Sequence, residues 1–379
     1  MQTDAPLREA LLALGASGTV LDELLAYTSN PFDTAGLDNR AFPFPDAPHL
    51  EAWTEYAAEA ARDGVLAMLA RRLVQFRFPI EAGISATEAY KAATRRGEWP
   101  LSAGPGIAFD DPDGVELVLH QTPAGRVPVI ACRTRADFVR LVQVCSCRNE
   151  PDDVPASMGA CIVNGLNNWD RVGRVRRRLE AERGAPFDAA GWAEAFRTII
   201  PQKALYQDRL ILLSSEPYSA VPAADLGLED AEWRRQSVAI RREHECTHYF
   251  TLVAFGAMRN NLLDELIADA AGLAAVSGRY EADTALRFLG LEHYPAYRQG
   301  GRFENYLGTP PLSAAATELM QGIVVRAARH LEAATRHVDL ADSRVRQAMV
   351  RTLAQSTLPE MAVDRDGARL RAELAAVHL

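Results

Sequence analysis

The stretch RREHECTHYF (residues 241–250) contains His244, Glu245 and His248 in the order H-E-x-x-H, within a segment that we predict to be a long helix. In an α-helix four residues advance about 400° and about 6 Å, so the two imidazoles project from the same face, one turn apart. At this spacing two imidazole nitrogens reach one metal ion at about 2.0–2.1 Å, the usual zinc distance. Glu245 lies one step round the helix, where its carboxylate is suited to hold a metal-bound water.

A second segment, LLDELIADAAG (262–272), repeats this spacing with acidic residues. Glu265 and Asp269 lie four positions apart, on one face of a predicted helix. Two neutral imidazoles and one carboxylate leave a tetrahedral zinc ion with an open position for water. A further carboxylate behind a liganding histidine fixes the tautomer of the ring and raises its basicity. Asp264 is most simply an acid in the first turn, where it stabilises the helix N-terminus.

Together the two segments resemble the pattern of the gluzincin branch of zinc metallopeptidases, which is H-E-x-x-H followed on a second helix by E-x-x-x-D. The resemblance covers residues 241–272. It implies three zinc ligands: His244, His248 and Glu265. It also implies that Glu245 is the general base and that Asp269 supports His244.

The connection between the two segments, YFTLVAFGAMRNN, is short for this branch and must turn tightly. Gly256 is the expected turn residue, because glycine adopts the left-handed conformation that ends many helices. Asn260 and Asn261 are the expected cap residues of the next helix.

Two other interpretations of the first segment need no catalytic metal. The two histidines would then form a polar stripe that needs hydrogen-bond partners inside the protein. Arg241, four residues before Glu245, would form an ordinary salt bridge with it and make Glu245 structural. Cys246 projects about 200° away from His244 and is expected to pack in the core.

A third stretch, LEHYPAYRQGGRFENY (291–306), combines tyrosines and arginines around two adjacent glycines. Such a loop is suited to donate to an oxyanion or to bind a substrate carboxylate. The candidate residues in it are Tyr297, Arg298, Arg302 and Tyr306. A surface loop anchored by amphipathic side chains explains the same composition.

The stretch SMGACIVNGLNNWDR (157–171) is predicted to be an amide-rich loop. Its asparagines and Trp169 are suited to line a peptide-binding groove. A structural cluster of turns is the alternative.

Composition narrows the class of protein. The 379 residues are 48% hydrophobic and 24% charged, which is typical of a globular protein, and the formal net charge of -9 argues against nucleic acid as a partner. No apolar run reaches the roughly 18 residues of a transmembrane helix, and the N-terminus lacks the pattern of a secretory signal. Five cysteines without a C-x-x-C pair are expected to be free thiols. We therefore predict a cytoplasmic protein that binds no membrane.

The chain is predicted to contain three regions: a helical N-terminal region (1–98), an α/β region (99–225) and a helical metal-binding region (226–379). The α/β region should contain a hairpin formed by residues 114–121 and 126–132 and an edge strand at 209–215. The expected fold class is α+β and predominantly helical. It would have a zincin-like catalytic core in which a small β-sheet packs against the metal-binding helices.

These observations predict a zinc-dependent hydrolase, most simply a metallopeptidase, that cleaves a peptide or amide bond with metal-activated water. The predicted cofactor is Zn²⁺ and the predicted partner is a peptide or another amide-containing substrate. One alternative is a biosynthetic enzyme, such as a cyclase, lyase or small-molecule amide hydrolase, that uses the same site. The other is a non-catalytic scaffold with a structural metal. No feature of the sequence defines an oligomeric state.

Overall fold

The computed structural model describes residues 5–35, 40–98, 106–258 and 261–377. They form helices and a small four-stranded mixed sheet, so the prediction of an α+β, predominantly helical fold is confirmed. The chain divides into two compact units. The sheet unit is Pro43–Glu216, and the helical unit combines Met1–Phe42 with Pro217–Leu379. Residues 43–98 therefore fold with the sheet.

Among its described residues, the sheet unit contains the four strands and six α-helices. The strands are β1 (Val115–Thr122), β2 (Gly125–Cys132), β3 (Ala160–Asn167) and β4 (Gln207–Ser214). The helices are α3 (Leu50–Asp63), α4 (Val65–Arg72), α5 (Glu88–Lys91), α6 (Arg135–Cys145), α7 (Trp169–Arg183) and α8 (Ala189–Ile199). Helices α3, α4 and α6 pack on the sheet.

The strand order is β1-β2-β4-β3. β1 and β2 are antiparallel, with Thr122 opposite Gly125, and this confirms the predicted hairpin. β4 is parallel to β2 on one side and antiparallel to β3 on the other. The prediction of an edge strand at 209–215 is therefore wrong. The run is apolar because β4 is interior, and Leu210–Leu213 are fully buried.

Helices α3 and α4 are separated at Gly64, whose φ of 89° is readily adopted only by glycine. One local prediction in this unit is also corrected. The predicted loop 157–171 is instead strand β3 followed by the start of α7. Asn168 caps α7 through its side chain and is buried, as is Trp169, so both residues are structural.

The helical unit contains nine helices within the described residues. They are α1 (Ala5–Ala13), α2 (Gly18–Tyr27), α9 (Asp230–Phe255), α10 (Leu262–Ser277), α11 (Ala282–Leu289), α12 (Ala314–Thr335), α13 (Ser343–Leu353), α14 (Leu358–Val363) and α15 (Ala368–Ala376). A membrane span requires a long and apolar helix, and no such helix occurs among the described residues. All five cysteines are free, as the sequence predicts.

Helices α9 and α10 pack closely against each other. A Cβ atom on Gly272 would lie 2.8 Å from the carbonyl oxygen of Ile240, so only glycine permits this approach. α9 ends at Gly256 with φ 71°, and the side chain of Asn261 accepts a hydrogen bond from the backbone of Asp264 at 3.0 Å. The predicted turn and cap residues are thus confirmed for Gly256 and Asn261, while Asn260 lies outside the described residues.

Candidate metal centre

His244 and His248 project from one face of α9, as the i, i+4 spacing predicts. Both residues are almost fully buried, with 4% and 6% of their surface exposed. Their Nε2 atoms lie 3.0 Å apart. Two imidazole nitrogens therefore converge on one point in the interior of the helical unit.

Glu265 reaches the same point from α10. Its two carboxylate oxygens lie 3.5 Å from Nε2 of His244 and 3.5 Å from Nε2 of His248. Among the described residues, His244, His248 and Glu265 form a group whose potential ligand atoms all lie within 4.8 Å of one another. Ligands at 2.0–2.1 Å around a tetrahedral ion are about 3.3 Å apart, so the observed separations match zinc coordination.

The carboxylate of Glu265 is held in its ionised form. Burial opposes ionisation of Glu265, but a hydrogen bond from His248 and the charges of His248, His244 and Arg302 lower its pKa to about 2. Its Oε2 atom is buried and has no hydrogen-bond partner among the described residues. A buried carboxylate oxygen without a partner is costly, and a bound metal ion would satisfy it. The donor set of two imidazoles and one carboxylate fits zinc.

Both histidines have a carboxylate at the ring nitrogen that faces away from the centre. Oδ1 of Asp269 lies 2.9 Å from Nδ1 of His244, which is the contact that the gluzincin resemblance implies. Oδ1 of Asp264 lies 3.2 Å from Nδ1 of His248, off the direction of a hydrogen bond, so this contact is chiefly electrostatic. Asp264 is fully buried, so it does more than stabilise the start of α10.

Tyr218 is part of this centre, although no sequence pattern identified it. Its hydroxyl donates to Oδ1 of Asp269 at 2.7 Å and lies 2.8 Å from Nδ1 of His244. The residue lies in a short 3-10 turn, and its backbone amide donates to the side chain of Ser237 on α9 at 3.0 Å. Tyr218 comes from a separate part of the chain, so no fixed spacing links it to the H-E-x-x-H motif.

Arg302 contacts the supporting groups of the centre. Its guanidinium donates to the hydroxyl of Tyr218 at 2.8 Å and to Oδ2 of Asp269, and it lies 3.9 Å from Oε2 of Glu265. Only 17% of the side chain is exposed. These contacts engage both terminal nitrogens of the guanidinium, so Arg302 orients Tyr218 and Asp269 and balances the carboxylates of the centre.

The other three residues predicted in the stretch 291–306 separate into two groups. Tyr306 is buried, and its pKa is raised by burial and by the charges of Glu265 and Asp269, against the opposing charge of Arg302, so its phenol lies near the charged groups of the centre. Tyr297 donates to the carbonyl of Gly301 at 2.7 Å, and Arg298 pairs with Glu292 at 2.6 Å. Tyr297 and Arg298 thus stabilise their own loop.

Glu245 follows the buried His244 on α9 and is itself partly exposed. Arg241, its alternative salt-bridge partner, has its guanidinium carbon 5.4 Å from the centroid of the Tyr218 ring. Cys246 is buried, as predicted, and burial raises its pKa well above the ordinary value, so it remains an uncharged thiol. The general-base role of Glu245 stays a prediction.

Comparison with known proteins gives one match. Residues 9–365 match a family that is described as a family of unknown function, DUF7005. The match spans both compact units. No curated protein and no solved structure matches the chain.

Proposed function

We propose that this chain, which belongs to the DUF7005 family, is a zinc-dependent hydrolase with a zincin-like core. The convergence of His244, His248 and Glu265 within 4.8 Å supports this proposal above all other observations. The carboxylates of Asp264 and Asp269 behind the two imidazoles strengthen it, because liganding histidines usually carry such a partner.

The most direct activity for this centre is that of a metallopeptidase acting on a peptide or amide bond. A bound zinc ion would act as a Lewis acid and lower the pKa of its water toward 7. Glu245 would accept the proton of the attacking water and pass it to the leaving nitrogen. Asp269 and Tyr218 would keep His244 in the tautomer that presents Nε2 to the ion.

The arrangement argues against a purely structural metal. A structural zinc ion is usually bound by four protein groups. Within the described ranges, the cluster contains three such groups, which leaves one position for a water or a substrate oxygen. An enzyme is therefore a better proposal than a scaffold.

A metal-dependent biosynthetic enzyme acting on a small substrate is the second candidate, and one observation favours it. The three ligands are each no more than 6% exposed, which suits an enclosed pocket. Strand β4, which was predicted to be an edge strand, is interior and pairs with β2 and β3. A peptide substrate therefore has no free edge to pair with at β4.

Metal analysis of the purified protein tests the proposal directly. We expect about one zinc ion per chain, and loss of the ion in His244→Ala and Glu265→Ala. His330→Ala is the matched control, because His330 is bonded to the carbonyl of Met361 and is not among the ligands. Absence of any stoichiometric divalent metal after metal addition would overturn the proposed function.

A further inference from the structure

A cavity of about 530 Å³ lies beside β3 in the sheet unit. Six consecutive residues of the strand, 162–167, line it. Successive side chains of a strand point to opposite faces of the sheet, so a cavity over one face would be lined by alternate residues. The cavity therefore follows the edge of β3. This strand is last in the order β1-β2-β4-β3, so no strand in the described part of the chain pairs with that edge.

The cavity is positively charged in a chain whose net charge is -9. Arg95 and Arg148 line it, and no acidic residue is among its lining residues. Both arginines are exposed. Within the residues that the structure describes, neither forms a salt bridge, whereas most arginines near the sheet pair with an acid, as Arg171 does with Asp208 at 2.6 Å. Two guanidinium groups that have no acidic partner among the described residues lie at this cavity, and they favour a ligand that carries carboxylates.

The backbone fixes Arg148 at this position. Arg148 and Asn149 have φ values of 56° and 61°, a region that residues other than glycine seldom adopt. Asn149 is fully buried, and its side chain donates to the carbonyls of Gln75 at 3.0 Å and Phe78 at 3.1 Å. Unfavourable backbone conformations persist where the surrounding contacts enforce them, and they are frequent at binding sites.

Gln75 supplies a second and independent indication of a ligand. The residue lines the cavity and is 5% exposed, and its Oε1 atom has no hydrogen-bond partner among the described residues. Its amide nitrogen donates to the carbonyl of Asn167 at the end of β3, at 2.8 Å. A buried carbonyl oxygen without a partner requires an N–H or O–H donor. A simple carboxylate supplies none, whereas a peptide backbone does.

We propose that an extended peptide segment rich in Asp and Glu binds in this cavity by adding a strand to the free edge of β3. Its main chain would form the ladder hydrogen bonds with β3, which is a common mode of peptide recognition. Its carboxylates would pair with Arg95 and Arg148, and one of its N–H groups would satisfy Gln75. This site is independent of the proposed zinc centre, because all the residues that form it belong to the sheet unit.

Titration of the full-length protein with an acetylated, amidated peptide of alternating Val and Glu tests the site. We expect binding, with affinity reduced about tenfold in each of Arg95→Gln and Arg148→Gln, as for loss of one charge-assisted contact. Arg197→Gln is the control, since Arg197 is an exposed residue of α8 outside the cavity. Hydrogen exchange should show that those amides of residues 162–167 that face the free edge of β3 become protected when the peptide binds.

Three outcomes would overturn the proposal. The first is equal binding of a matched peptide of alternating Val and Lys. The second is peptide binding that leaves the exchange of residues 162–167 unchanged. The third is binding of N-acetylglutamate with the affinity of the peptide, which would make the cavity a site for small anions. None of these results depends on zinc, so the proposed function is tested separately.

Discussion

Asp264 lies behind His248: its Oδ1 atom is 3.2 Å from Nδ1 of the imidazole, while the Nε2 atom of the same ring faces Glu265 at 3.5 Å. Two adjacent acids of α10, Asp264 and Glu265, therefore contact the two ring nitrogens of His248. Asp269 supports His244 in a similar way, at 2.9 Å. Each proposed histidine ligand thus has its own carboxylate, and the positive charge of Arg302 compensates part of the negative charge.

Replacing Asp264 by Asn should weaken zinc binding about tenfold to 100-fold, because His248 loses the charge that raises its basicity and orients its ring. The measurement is a competition titration against a chromogenic zinc chelator. Asp283→Asn is a suitable control, since Asp283 also lies in the first turn of a helix, is exposed and pairs with Arg329. Equal zinc affinity in the two variants would show that Asp264 has no role in the centre.

Tyr218→Phe should lower both zinc affinity and stability. The ring would still pack edge-on against Phe288, whose centroid is 4.9 Å away, but Asp269 and Arg302 would each lose a hydrogen bond. We expect a loss of about 1–3 kcal/mol in the free energy of unfolding, as for other buried polar groups left unpaired. Denaturation by urea and the same chelator competition measure the two effects.

Tyr56→Phe separates a role at the centre from a general cost of removing a buried hydroxyl. Tyr56 lies in the sheet unit and donates to Asp170 at 2.7 Å. This variant should lose a similar amount of stability and keep its zinc affinity. If Tyr218→Phe also keeps full zinc affinity, Tyr218 is a packing residue only.

The sequence predicted the centre better than it predicted its surroundings. The positions of His244, His248, Glu265 and Asp269 follow from helical spacing, which is a local property, and Gly256 ends α9 for an equally local reason. Tyr218 contacts the centre only because the chain returns to it in three dimensions. No pattern within a short window contains that information.

The wrong predictions for β4 and for the loop at 291–306 also arise because the outcome depends on tertiary contacts. The apolar run of β4 shows that the strand is buried, but burial alone does not tell how many neighbours pair with it. Arg302 and Arg298 occur in one loop with similar sequence surroundings, yet one contacts Asp269 and the other pairs with Glu292. The identity of each partner depends on tertiary packing.

Acid should destabilise the sheet unit through His49. Burial of this imidazole, together with the nearby charges of Arg171 and Arg209, lowers its pKa from 6.5 to about 4, although a hydrogen bond to the backbone of Arg209 and the charge of Asp46 act in the opposite direction. A histidine whose pKa is lower in the folded state contributes stability above its unfolded pKa. That stability is lost as the pH falls from about 6.5 toward 4, because only the unfolded state takes up the proton readily.

The loss between pH 7 and pH 5 should be about 2 kcal/mol. His49→Gln removes the titrating group, so its stability should fall by about 2 kcal/mol less than that of the wild type over the same interval. Urea denaturation at both pH values measures the difference, which also cancels the contributions of other titrating groups. Parallel pH dependence of the two proteins would contradict the assignment to His49.

Glu245→Gln tests the proposed chemistry apart from metal binding. Glu245 is partly exposed and is not one of the converging ligands, so the amide should leave zinc affinity unchanged. An amide cannot accept the proton of water, and turnover of any amide substrate that the wild-type protein cleaves should fall about 100-fold or more. The value of KM should change little, since the substitution preserves size and removes no binding contact of the ligand set.

Glu243→Gln is the matched control for this variant. Glu243 lies on the same helix, is partly exposed, and its carboxylate is 3.7 Å from the guanidinium of Arg242, outside the cluster of ligands. It should retain wild-type turnover and zinc content. Full activity in Glu245→Gln with zinc still bound would remove Glu245 as the general base and leave the metal centre in place. Loss of zinc together with activity would instead place Glu245 among the groups that hold the ion.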